Sequence, residues 1–356
     1  MAERWRFEGV RLPDGELDAL WIADGLLRRS AVDGAELLPG RFVLPGLVDA
    51  HAHPTIDMAE RGAPWGSEAL VEANLEENAF AGELLIREIG AVGDRWSLDG
   101  IGERLPRMQR AGRFVAPAGG YYDWLGVFTQ PEAAQDEVGR QIAAGATWIK
   151  VVGDWPVDGG IRVNYEPEAL RGLVEAAHAA GARVGAHVMS RAATEVAIEA
   201  GVDSLEHAPL LDEALIRRMA ERGAAWTPTL AAVGPLLDGS EDPVRLAFMA
   251  GELRDAGERY PTVLRTALEL GVPVLAGTDV LPPGSMAVEI AALHRWGLSP
   301  TEALESATTV ARAYLGEPAL DTGARADLVT YDADPREDPE VLRTPTSVLL
   351  HGRRIR

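Results

Sequence analysis

The sequence predicts an α/β fold: a (β/α)8 TIM-like barrel plus a small β-sandwich domain formed from both termini. Three observations carry this expectation. Short runs rich in Val, Ile and Ala alternate with longer helical patterns, and each run closes on Gly, Asp or Pro. Eight such runs fall within about 270 residues, the size and rhythm of a (β/α)8 barrel. Both ends break that rhythm, showing alternating polarity and, at the N-terminus, repeated Asp-Gly turns. A doubly wound open sheet is the alternative for the central part.

In chain order, residues 1–41 ("WRFEGVRLPDGELDALWIADGLLRRSA") read as short antiparallel strands, and residues 323–356 ("GARADLVTYDADP…TSVLLHGRRIR") have the same character. Neither end is expected to fold alone, so 1–41 and 323–356 are assigned to one composite β domain and 42–322 to the barrel. The expected barrel strands are 42–53, 91–94, 113–119, 147–153, 183–188, 202–208, 224–230 and 272–279. Amphipathic stretches such as 167–181 and 191–201 supply the helices between them. The acidic, Pro-rich stretch 332–340 reads as a solvated loop.

Composition narrows the function. The 356 residues are 47 % hydrophobic, enough for a sizeable core, and carry a formal net charge of -21 with no basic block. Such a charge disfavours nucleic acid and anionic lipid as partners. The charged N-terminus lacks the apolar run of a secretory signal, and no later run approaches the roughly 20 residues of a membrane span. The expectation is a cytoplasmic protein acting on a small molecule, with a homo-oligomer compatible. With 0 cysteines, a metal would have to be held by His, Asp, Glu or Lys chemistry.

His51 and His53 in "DAHAHP" stand two apart on an expected strand, so both imidazoles face one side, here the lumen. That motif alone is equally compatible with two hydrogen-bonded histidines. Three further residues sharpen it: His187 in "VGAHVMS", His207 in "DSLEHAP" and Asp279 in "LAGTDV" each end an expected strand, where barrel active sites are built. Lys150 in "TWIKVVG" ends another and is the only lysine in the chain, every other strong base being arginine. The alternative for Lys150 is a lysine snorkelling from the strand end or paired with an acid such as Asp154.

Together, "FVLPGLVDAHAHP", "WIKVV", "GAHV", "DSLEHA", "LAGTDV" and the tail "ADLVTYDADP" resemble the amidohydrolase superfamily, most closely its imidazolonepropionase-like and metal-dependent dipeptidase branch. The resemblance spans nearly the whole chain. It implies that Lys150 is carboxylated by CO2 and bridges two divalent ions, with His51, His53 and Asp279 on one and His187 and His207 on the other. Carbamate formation needs a neutral amine, which burial beside cations supplies for lysine. Arginine stays protonated and cannot substitute. Two ions about 3.5–4 Å apart hold a bridging hydroxide at neutral pH and polarise a carbonyl, while Asp279 would act as the catalytic acid–base. Zinc is favoured for His-rich sites, and manganese, cobalt and nickel share the chemistry.

The expected reaction is hydrolysis of a C–N amide bond in a dipeptide-like or N-acyl amino acid substrate. A lactone, carbamate or organophosphate hydrolase is the alternative, followed by a cyclic amidine or imidazolone hydrolase and a catalytically silent scaffold. The stretch "HVMSRAA" after His187 lacks the acid or amide of ring-opening relatives, and Thr55 stands where dihydroorotase-like members carry arginine. Tyr121, Arg162 and Tyr165 are the candidate substrate contacts. Trp96, Tyr122, Trp124, Trp155 and Arg191 are further loop candidates. Asp49 and Trp148 share inward parity with His51 and Lys150, as supporting and barrel-filling residues. His178, His294 and His351 are expected to be structural.

Overall fold

The computed structural model describes residues 3–56, 67–91, 104–129, 133–241 and 246–356. Alternating apolar side chains at both termini form strands that hydrogen-bond into one sheet. Its order is Arg353–Arg354, Ser347–Leu350, Leu328–Tyr331, Phe42–Pro45, Trp5–Arg11, Glu16–Ala23 and Leu26–Arg28, with Glu36–Leu37 beside Trp5–Arg11. Phe7, Leu20, Ile22, Val43, Leu328 and Leu349 form its buried core. Each fully buried side chain of this size contributes about 1.5–3 kcal/mol.

One expectation changes here. Phe42–Pro45 inserts between the strands of the two termini, parallel to Trp5–Arg11 and antiparallel to Leu328–Tyr331. That insertion splits the expected strand 42–53, whose second half is the separate strand Leu47–Ala52.

Apart from the antiparallel hairpin Asp154–Val157 and Gly160–Val163, the remaining strands are parallel. Leu47–Ala52 pairs with Glu83–Glu88, and that with Arg107–Arg110. Phe114–Ala116, a few residues on, lies beside Trp148–Val152, followed by Arg183–Val188, Ser204–His207 and Ala225–Thr227. Residues 272–279 form no regular strand, yet they bridge the two edges. Trp226 N donates to Pro273 O (2.9 Å) on one side, while Ala50 N donates to Ala276 O (2.9 Å) and Asp279 N to His51 O (2.7 Å) on the other. The approach is close at Gly277, where a Cβ would stand 2.5 Å from that of His51.

The strand expected at 91–94 is replaced by Glu83–Glu88, and residues 92–94 lie outside the described residues. The expected helices form as Pro167–Ala179, with proline in its first turn, and Arg191–Ala200, capped by the Ser190 side chain and ended by left-handed Gly201. No helix among the described residues is long and apolar enough to cross a membrane.

Candidate metal centre

The ends of the parallel strands gather the expected ligands. Asp279 Oδ1 lies 3.4 Å from His53 Nε2 and 3.6 Å from His51 Nε2, and its Oδ2 lies 4.0 Å from His207 Nδ1. Ring centroids of His51 and His207 are 4.9 Å apart, and those of His207 and His187 4.7 Å. Donor atoms of His51, His207 and Asp279 all fall within 4.8 Å of one another. Lys150 is 1 % exposed, and its charge is felt by His51, His187 and His207.

Hydrogen bonds assign the tautomers. His51 Nδ1 stands 2.7 Å from Glu206 Oε2 and His53 Nδ1 2.8 Å from Gly90 O, both acceptors, so each Nδ1 carries the proton. His207 Nδ1 meets Thr229 Oγ1 at 2.8 Å; that hydroxyl already donates to Pro228 O, so it accepts from His207. Three imidazoles therefore keep their Nε2 lone pairs free, the form that ligates metals. The Nε2 of His51 is buried with no hydrogen-bond partner, an arrangement that costs free energy unless a ligand occupies it.

Electrostatics agree with this protonation. Burial and the Lys150 charge push His51 down to about 3, and burial with the neighbouring His51 and Lys150 charges does the same to His207. Burial brings Lys150 down to about 8 against the attraction of Glu206 and Asp279. Asp154 is not its partner, since that carboxylate accepts from Met189 N, Ser190 N and Ser190 Oγ.

The backbone is strained where the site is built. His207, Ala208, Thr229 and Asp279 have φ of 64°, 44°, 49° and 53°, a left-handed conformation costing of order 1–3 kcal/mol each for such residues. At His207 it breaks strand alternation, so Glu206 and His207, though adjacent, both reach His51. Asp49 stabilises the opposite edge by accepting from His51 N, Thr278 N and Thr278 Oγ1.

Glu289 accepts from Leu230 N (2.9 Å) and Ala231 N (2.6 Å), fixing the start of the helix after Thr229. Burial and then repulsion from Asp49 and Asp279 raise it to about 8 despite those two donors. An acid whose folded pKa exceeds its ordinary 4.5 favours folding as the protonated form, a contribution complete below pH 4.5 and lost as pH rises through 8. Glu289→Gln should therefore gain stability relative to wild type, by about 1–3 kcal/mol, between pH 5 and pH 8.5. Urea unfolding of the metal-free proteins measures this; parallel pH dependences would contradict it.

Of the substrate candidates, Tyr121 stacks on Phe114 with centroids 5.1 Å apart and meets Trp155 edge-on at 4.7 Å, 6.1 Å from His187. Tyr122 and Trp124 extend this aromatic wall. Arg162 pairs in register with Trp155 across a hairpin and donates to Ala118 O (3.2 Å). Tyr165 is turned away: it is buried in the main core and its hydroxyl donates to Val115 O. Arg191 is tied to Glu195 and Asp212 at the surface, and Trp96 lies outside the described residues. A cavity of about 410 Å³ opens beside His53 and Asp279, lined by Ile56, Leu70, Asn74, Val280 and Leu281. His178 binds Asp203 and His294 binds Leu298 O, both structural contacts. Sequence reasoning missed Glu206, Arg87, Thr229 and Glu289.

Comparison with known proteins is consistent with this geometry. The profile of the amidohydrolase family matches residues 42–355. An uncharacterised protein of Mycobacterium tuberculosis is 38 % identical over 99 % of this chain and 96 % of its own. Ochratoxinase of Aspergillus niger is 31 % identical over 227 residues, 61 % of this chain and 47 % of its own. Its crystal structure aligns with a TM-score of 0.84 at 23 % identity, covering 100 % of this chain and 96 % of that one. A Xaa-Pro dipeptidase solved with methionine in its active site gives a TM-score of 0.82 at 22 % identity, with 99 % of both chains covered. The chain belongs to the amidohydrolase family and is a hydrolase acting on carbon–nitrogen bonds.

Proposed function

We propose that this protein hydrolyses the amide bond of a small dipeptide-like or N-acyl amino acid substrate at a centre of two divalent ions. The parallel strands and the bridging segment 272–279 are read as a closed (β/α)8 barrel whose strand ends hold the centre. His51, His53 and Asp279 would hold one ion, His187 and His207 the other, and a carbamate on Lys150 both. One observation carries this reading: His51 and His53 turn Nε2 toward Asp279 Oδ1 at 3.6 and 3.4 Å, and the Nε2 of His51 is buried without a hydrogen bond. Zinc suits this donor set, and manganese, cobalt and nickel are its competitors.

Bound ions would supply an acidified water and a polarised carbonyl at neutral pH. Asp279 Oδ1 would take the proton released on attack and return it to the departing nitrogen. The wall of Tyr121, Tyr122, Trp124 and Trp155 would exclude water from one flank. Arg162, opposite Trp155 on the same hairpin face, would meet a substrate carboxylate. The names of the ochratoxinase and Xaa-Pro dipeptidase relatives support amide cleavage.

The test is product analysis of metal-loaded protein against dipeptides, N-acyl amino acids, lactones, carbamates and phosphotriesters, with elemental analysis alongside. Release of free amino acid by protein holding two ions per chain is expected. Turnover of lactones alone would overturn the amide assignment, and a single ion would overturn the paired centre.

A further inference from the structure

Glu206 is none of the expected ligands, yet the donors of three side chains converge on its carboxylate. His51 Nδ1 lies 2.7 Å from Oε2, Arg87 Nη2 donates to Oε1 and Oε2 at 2.9 and 3.0 Å, and Ser204 Oγ donates to Oε1 at 2.6 Å. Glu206, Arg87 and His51 are all 0 % exposed. Arg87 is itself pinned: Nη2 donates to Thr227 Oγ1 at 3.0 Å, Nε to Ala50 O, and the guanidinium lies over the Trp148 ring, 4.6 Å from its centroid. Gly185 leaves the room, since a Cβ there would stand 3.0 Å from Glu206 Oε1 and 2.9 Å from Ile89 Cδ1.

Residues from six parallel strands thus hold one carboxylate against one imidazole nitrogen. Burying such an ion pair carries a large desolvation cost for each charge, and apolar packing would give as much stability. A structural role alone leaves the expense without a return. We infer that Glu206, clamped by Arg87 and Ser204, is a positioning residue that fixes His51 as its Nδ1–H tautomer and aims Nε2 at the metal centre. This inference rests on the reading of His51 as a ligand.

The chemistry identifies the discriminating variant. Every group facing the carboxylate is a donor, whereas the carboxamide of Glu206→Gln must turn its NH2 toward one of them. Turned to His51, it makes Nδ1 an acceptor and moves the ring proton to Nε2, which then cannot coordinate. Turned to Ser204, it sets a donor against Ser204 Oγ and Arg87 Nη2 at the Oε1 position and weakens the clamp. Glu206→Asp keeps the charge and all-acceptor character and should rescue in part.

Metal-free wild type, E206Q and E206D are titrated with Zn2+ against a chromophoric chelator, with Co2+ absorption spectra and thermal melting of the apoproteins measured in parallel. E206Q should bind one ion about 10–100-fold more weakly with an altered Co2+ spectrum, and E206D should fall between; loss of the buried charge should lower the E206Q melt, with all three apoproteins still folded at the titration temperature. Binding by E206Q within about threefold of wild type, with an unchanged Co2+ spectrum, would overturn the inference while leaving the metal centre standing. A wild type that binds no metal would overturn both. Should E206Q fail to fold, Ser204→Ala decides: removing one clamp donor should weaken one site about fivefold, and unchanged affinity would overturn the inference.

Discussion

Lys150→Arg is expected to lower kcat/KM for the best amide substrate by about 10³-fold or more, although charge is conserved. Lys150 is buried among His51, His187, His207 and Asp279, and burial brings its pKa to about 8. Near that pH a substantial fraction is neutral amine, the form that attacks CO2; the new N–C bond releases one proton and leaves a carbamate with two donor oxygens. A guanidinium remains protonated and presents only donors, so it would place a cation where the reading needs an anion. Metal content should fall from two ions to one or fewer, while melting of the apoprotein should show that the variant still folds. Turnover within about tenfold of wild type would remove the carbamate from the mechanism.

The residues legible in the sequence were those whose chemistry conflicts with their surroundings. His51, His187, His207 and Asp279 stood at or near the ends of apolar runs, and Lys150 was the one lysine in a chain whose other strong bases are arginine. What escaped followed from tertiary context. The strand Glu83–Glu88 has only three consecutive apolar residues, because Glu83, Arg87 and Glu88 are buried charges that mimic a surface pattern. Glu206 escaped because alternation places it opposite His207, and only the left-handed backbone at His207 brings both to His51. Both termini were expected to share one composite β domain, but the insertion of Phe42–Pro45 depends on partners almost 300 residues away in the chain. Tyr165 was misjudged because a loop position does not fix a side chain's direction; its hydroxyl satisfies Val115 O instead.

Asp279→Asn separates proton transfer from architecture. Asp279 sits at φ 53°, a conformation asparagine adopts readily, and Asn preserves one oxygen and the side-chain shape, so the backbone hydrogen bond from Asp279 N to His51 O should persist. What disappears is the charge. The carboxylate, 3.4 Å from His53 Nε2 and 3.6 Å from His51 Nε2, is the group the proposed reaction uses as proton acceptor. A carboxamide cannot take that role. At saturating metal, kcat should fall about 10²–10⁴-fold with KM changed only a few fold. Weaker binding of one ion is expected as well, since a neutral oxygen is a poorer donor than a carboxylate, and for this reason the kinetics must be read with metal in excess. Recovery of kcat to within about tenfold of wild type under those conditions would leave Asp279 a ligand and assign the proton transfer to another group.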